Sequence, residues 1–280
     1  MLKMIRNKKG DILIYIGYFI IFCFFLLPLL WIFSISLRPL SEVFRYPPTL
    51  IPRKIDLNNY AKILKDKNIV FYLYNSFKIT IFTVLGTLVV SIPGAFAFSR
   101  YRFKFKKVIL FSILLFQMIS PLIIAIPLYN YFNKLQLLDT HLGVILVYIA
   151  IQIPFTVWLL KGTIDSIPIS IDEAAKIDGC TDWQLLFKII LPLVTPGIST
   201  AVIFNAISSW GQFIIPFILL STRKLFPISL GIYNYQAGGE AITIHLTATA
   251  SIIATLPTVI LFILLQKFIV SALTAGAVKE

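Results

Sequence analysis

The sequence predicts an all-α polytopic membrane protein with six transmembrane helices, and three observations carry that expectation. Apolar residues make up 58% of the 280-residue chain and charged residues only 13%, far outside the range of soluble domains. Six runs are long enough to cross a bilayer, which takes roughly 20 predominantly apolar residues each. The net charge of +13 is gathered in stretches between those runs. Cytoplasmic loops of membrane proteins concentrate Lys and Arg, so the basic balance needs no nucleic acid to explain it.

The expected spans, in order, are Ile12–Leu37, Phe71–Ser99, Val108–Phe132, Leu142–Leu160, Pro196–Leu220 and Leu246–Val270. The first is too long for the core of a signal peptide and has no small-x-small cleavage site after it, so it is expected to stay as an anchor. Pro28, Pro93, Pro121, Pro127, Pro154 and Pro257 fall inside spans and predict kinks, which bilayer helices tolerate when neighbours satisfy the freed carbonyls. The two cysteines, Cys23 and Cys180, are too few for a disulfide framework.

Charge sets the expected orientation. Lys3, Arg6, Lys8 and Lys9 precede the first span, and Arg100, Arg102, Lys104, Lys106 and Lys107 lie between the second and third without an acid among them. Both stretches are expected in the cytoplasm, which puts both termini there. The loop from Arg38 to Val70, with seven basic residues, then falls outside and runs against the rule. Its stretch from Pro47-Pro48 to Asn58-Asn59-Tyr60 suits an outer lid over a pathway.

The spans lack the groups that ion-driven carriers generally use. No Asp or Glu lies well inside any of them, whereas ion coupling usually needs ionisable groups at membrane depth. Lys78 is near a span end and is expected to snorkel, and His245, just ahead of the last span, is expected at the surface or interface. Nor does the chain hold a phosphate-cradling G-x-x-x-x-G-K-[ST], an H-E-x-x-H, a G-x-S-x-G or a paired Cys/His set. It reads as a non-enzymatic subunit whose energy comes from another polypeptide, with no metal and no cofactor of its own.

The stretch EAAKIDGCTDWQLLFKIILPLVTP, residues 173–196, is the most informative. Ser170 through Glu173 reads as a capping box opening a very short helix, and Gly179 supplies the left-handed residue that ends it. Thr181 through Gln184 reads as a second capping box, with Pro192 expected to stop the second helix near Leu191. Trp183, Leu186, Phe187 and Ile190 fall at i, i+3, i+4 and i+7, one bulky apolar stripe. Ala174 and Ala175 keep the first helix thin, and Asp172, Glu173 and Asp178 make it acidic in a basic chain. Such a projection between membrane spans suits docking into a cleft of a partner.

The order Glu173-Ala174-Ala175, Gly179, Ile189 and Leu191-Pro192 resembles the EAA loop of binding-protein-dependent ABC importers. Ile167-Pro168 before it and Pro196 after it are similar to the maltose-type sugar permeases, with Cys180 standing where that family usually has alanine. Asn75-Ser76, the run Gly94–Arg100 and the tail from Leu273 to Lys279 extend the resemblance to that family's smaller permease subunit. The resemblance implies a type I importer permease with a core over residues 71–270. Residues 1–70 would hold the cytoplasmic tail, first span and outer loop, and 271–280 a cytoplasmic tail. It implies coupling to an ATPase through Glu173, Ala174, Ala175, Asp178, Gly179, Trp183, Phe187, Leu191 and Pro192. The implied partners are a second, different permease, a homodimeric ATPase using ATP and Mg, and an extracytoplasmic binding protein, all at a bacterial cytoplasmic membrane. The implied cargo is a carbohydrate, in particular an oligosaccharide. Another solute, such as glycerol phosphate, a polyamine or an amino acid, is the alternative within the class, and an ion-driven carrier the rival outside it.

For the pathway, Asn205, Ser208, Ser209 and Gln212 share one helical face with Trp210 at its edge. That face suits either sugar hydroxyls or interhelical bonds, since both need an inward polar stripe. Gln117 in the third span is a lone amide open to both readings. Thr247, Ser251 and Thr255 recur every four residues in the last span, where packing is the better account.

Overall fold

The computed structural model describes residues 8–237 and 243–277, and those residues are helical with connecting loops. The chain divides into two compact units. One takes residues up to Lys67 together with Ile232–Ile253, and the other takes Asn68–Gly231 together with the residues from Ala254 onward.

In the first unit, α1 (Lys8–Ser36) keeps Phe19, Phe24 and Phe25 exposed, as side chains facing lipid do. The short α2 (Leu40–Val43) and α3 (Asn58–Lys65) belong to the loop that follows. That loop is built around its own charges. Arg38, only 3% exposed, donates to Ser34 Oγ and the Thr49 carbonyl and lies over the Trp31 ring. The Glu42 carboxylate accepts from the amides of Arg53 (2.7 Å) and Lys54 (3.1 Å). The Arg53 amide above all holds its pKa below the usual glutamate value. Asn59 ties α3 back with bonds to the carbonyls of Ser36 (3.0 Å) and Arg38 (2.8 Å). Arg38 is therefore held inside the folded loop rather than free at its surface.

The second unit holds α4 (Lys67–Arg100), α5 (Lys106–Phe116), α6 (Ala125–Lys134) and α7 (His141–Asp165). A hairpin follows, then α11 (Thr195–Gly211) and α12 (Ile214–Leu219). Thr140 caps α7, its hydroxyl accepting from the Gly143 amide. Beside it the Asp139 carboxylate accepts from the amides of Ser221 and Thr222. Burial pushes that carboxyl up, but the Thr222 and Ser221 bonds together hold it below the usual aspartate value. Gly197 lets α11 approach α7 closely, because a Cβ there would stand 2.5 Å from Thr163 Oγ1. Small residues at helix contacts serve this purpose in bilayers. Helices α13 (Ile228–Ala237) and α14 (Ile244–Ala277) complete the described chain.

Six uninterrupted spans are not what the described residues contain. Four helices, α1, α4, α7 and α14, are long and apolar enough to cross a membrane, and a fifth counts only if Asp182–Leu193 and Thr195–Gly211, bent by 79°, form one span. The expected third span is broken between α5 and α6, where Ser120-Pro121 cannot continue a helical hydrogen-bond ladder. The expected fifth span divides at Gln212, whose extended backbone (ψ 124°) ends α11. Pro28, Pro93, Pro154 and Pro257 lie inside helices that continue past them. His245 is buried rather than at a surface, in the first turn of α14.

Candidate functional site

The hairpin between α7 and α11 consists of α8 (Ile169–Ile177), a turn at Gly179, α9 (Asp182–Gln184), a turn of π-helix (Leu185–Ile190) and α10 (Leu191–Leu193). Gly179 has φ +81°, the left-handed conformation that glycine adopts without a Cβ penalty. The second capping box forms in full: Thr181 Oγ1 accepts from the Gln184 amide (3.3 Å) and Gln184 Oε1 from the Thr181 amide (2.9 Å). The first does not form. Helix α8 starts two residues earlier than the box requires, with Pro168 at the cap and no side-chain capping bond, which leaves Ser170 within the first turn. Asp172 is instead buried and turned to Arg100.

Two further expectations for the hairpin are corrected. Pro192 does not stop the helix at Leu191; the helix runs through it to Leu193, and the break comes at Val194. The apolar stripe is divided. Leu186 and Ile190 are buried, whereas Trp183 and Phe187 are 64% and 50% exposed. A π-turn takes more residues per revolution than an α-turn, so a 3.6-residue stripe does not stay on one side of it. The two exposed rings stack on each other, centroids 5.7 Å apart and planes 10° apart. Glu173, Ala174, Asp178 and Pro192 are exposed and Leu191 is partly so, while Ala175 turns inward. Ala175 joins Leu185, Leu186 and Ile190 on a core completed by Phe96 of α4 and Leu160 of α7.

The end of α4 is bonded to this hairpin. Arg100 Nε lies 2.6 Å from Asp172 Oδ2, and its Nη2 donates to Asp172 Oδ1 (3.2 Å) and the Ile167 carbonyl (3.1 Å). Tyr101 donates its phenol to Asp182, a bond that raises the tyrosine pKa. The sequence marks Arg100 for orientation and as the end of the family-like run Gly94–Arg100, but not as a partner of the hairpin. A dense basic run facing an acidic hairpin is the signal that pointed further.

The residues expected along a pathway are brought together only in part. Gln117, Ser208 and Gln212 line one cavity of about 70 Å³ with Tyr148, Gln152 and Phe204. That is room for water, well below the ~300 Å³ at which small-molecule pockets begin. Asn205 and Ser209 are buried against α7 instead: Thr156 Oγ1 donates to Asn205 Oδ1 (3.1 Å) and Gln152 Nε2 to Ser209 Oγ (2.8 Å). Trp210 donates its indole N–H to the Ala254 carbonyl (2.9 Å), packs its ring against Phe77, and lines a separate apolar cavity of about 330 Å³. Asn205→Leu is therefore expected to lower the yield or thermal stability of the assembled protein. Interhelical bonds in bilayers are worth ~0.6–2 kcal/mol each. Uptake per assembled molecule should stay unchanged. A loss of uptake at full stability would return Asn205 to the pathway.

Residues 89–275 match the family described as binding-protein-dependent transport system inner membrane component. The chain is 33% identical over 255 residues to the galactooligosaccharides transport system permease protein of Bacillus subtilis, covering 90% of this chain and 89% of that one. It is 34% identical over 256 residues to the trehalose transport system permease protein of Mycobacterium tuberculosis, covering 91% and 92%. The structure also resembles a chain from a solved bacterial ABC transporter involved in the import of the acidic polysaccharide alginate. There the TM-score is 0.81 over 95% of this chain and 99% of that one, and the 24% identity makes this a likeness of fold.

Proposed function

Because this chain belongs to the family of binding-protein-dependent transport system inner membrane components, we propose that it is the permease subunit of an ATP-driven importer of carbohydrate. It has no hydrolytic part of its own; ATP and Mg act in a separate ATPase. The relatives that carry the substrate class are permeases for galactooligosaccharides and for trehalose, so the cargo is a small sugar or oligosaccharide. The observation that carries the mechanism is the hairpin: a capped, acidic element with two exposed aromatic rings, packed on the ends of membrane helices. Glu173, Ala174, Asp178, Trp183 and Phe187 offer the surface for an ATPase cleft, and Gly179 and the Thr181–Gln184 box hold its shape. ATP closes the ATPase dimer, the hairpin moves with it, and the helices turn outward to receive sugar from a binding protein. A second, different permease completes the pathway, with Gln117, Ser208 and Gln212 contributing polar contacts from this side.

Deleting the chain is expected to abolish cellular uptake of a labelled oligosaccharide, and to leave uptake of glycerol phosphate and amino acids intact. The reverse pattern would overturn the substrate class. Orientation has its own test. Lys104→Cys is expected to react only with membrane-permeant thiol reagents and Asn58→Cys with impermeant ones, since positive charge is retained inside. Labelling of Lys104→Cys by an impermeant reagent on intact cells would invert the topology.

A further inference from the structure

Three consecutive residues where α4 ends each hold a different part of the hairpin region. Ser99 Oγ donates to Asp165 at the end of α7 (2.6 Å). Arg100 holds Asp172 within α8 and the Ile167 carbonyl ahead of it. Tyr101 holds Asp182 at the start of α9 (2.5 Å). The Arg100 and Asp172 side chains are 11% and 10% exposed, so salt screens their attraction far less than that of a surface pair. Desolvation offsets much of what such a pair adds to stability, but the guanidinium fork engages its partner in one geometry only. The Tyr101 ring meets Phe96 edge-on, and Phe96 belongs to the apolar core under the hairpin. Lys106 Nζ donates to the carbonyls of Ser99 and Tyr101 (3.2 Å each), fixing the backbone that carries the three.

The chain itself joins the hairpin to α7 and α11, with which it also shares a packed core; α4 has no chain link and meets the hairpin through that core and these side-chain bonds. We infer that Arg100 and Tyr101 are positioning residues that clamp α4 to the hairpin, with Ser99 tying α4 to the end of α7 beside it, so that a displacement imposed on the hairpin reaches the membrane core through α4 as well. The inference rests on the reading that the hairpin docks on the ATPase. A clamp of three bonds at successive positions resists rotation as well as separation, which a single ion pair would not.

The test is the number of ATP molecules hydrolysed per sugar imported, measured in proteoliposomes holding the whole complex and supplied with loaded binding protein. Arg100→Ala is expected to raise that ratio by about threefold or more, the scale on which residues within a coupling network act. The bound ATPase should stay in wild-type proportion. A merely structural role would lower the yield of complex and leave the ratio per complex unchanged. If Arg100→Ala does not assemble, the Ser99→Ala/Tyr101→Phe double variant, which keeps every charge, is measured in its place with the same expectation. A wild-type ratio in whichever variant assembles overturns the clamp. Cross-linking Ala174→Cys to the ATPase in an otherwise wild-type complex checks the docking reading separately. If no cross-link forms, docking fails; a cross-link with an unchanged ratio sinks the clamp alone.

Discussion

Gly179→Pro is expected to abolish ATP-driven uptake in a complex that still inserts into the membrane. The turn at Gly179 has φ +81°, and the pyrrolidine ring fixes φ near −65°, so proline cannot adopt it at any modest cost. The substitution also removes the amide that bonds the Lys176 carbonyl at 3.1 Å. Asp178 has φ −72° and ψ 2°, a helical-side conformation that a following proline disfavours. All three effects act where α8 turns toward α9, which redirects the exposed residues relative to one another. Gly179→Ala separates the causes. No atom lies within 4 Å of the Cβ it would add, so its cost is the left-handed backbone alone, about 1–2 kcal/mol, and uptake should fall in part. Wild-type uptake in Gly179→Pro would remove the hairpin from coupling.

Trp183→Ala is expected to weaken binding of the ATPase by roughly 30-fold or more, the cost of truncating a central aromatic anchor at an interface. The ring is 64% exposed in this chain and contacts Phe187, which is also exposed, so the permease should lose little stability by itself, within about 0.5 kcal/mol as for other surface changes. Titration of the solubilised permease with purified ATPase measures the first, and a thermal unfolding scan the second. Equal affinity in the variant would take Trp183 out of the interface.

What the sequence disclosed about the hairpin depended on distance along the chain. Gly179 and the Thr181–Gln184 box involve residues no more than three apart, and both formed as expected. The Ser170 box also looked local. It lost to Pro168 at the cap and to Arg100, 72 positions away, which claims the Asp172 side chain of the same turn. The stripe Trp183–Ile190 was laid out with an α-helical period, and nothing in residue type announces a π-turn that divides it. Along α11, periodicity placed Asn205, Ser208 and Ser209 on the helix, but Gln212 falls past its end, and the neighbours of the four were not legible. Gln152 and Thr156 of α7 take Ser209 and Asn205, leaving Ser208 and Gln212 to the small cavity. Spans were legible where apolar runs were continuous, as in α4 and α7. They were not where Pro121 or Gln212 interrupts a helix within an otherwise apolar run.

On the proposed function, this chain moves carbohydrate only with energy from a separate ATPase and cargo from a binding protein. Uptake of a labelled oligosaccharide into proteoliposomes, with each component left out in turn, tests it most directly. Accumulation is expected to require the ATPase, ATP and loaded binding protein together, with none from the chain alone under a proton or sodium gradient. Gradient-driven uptake by the isolated chain would contradict it.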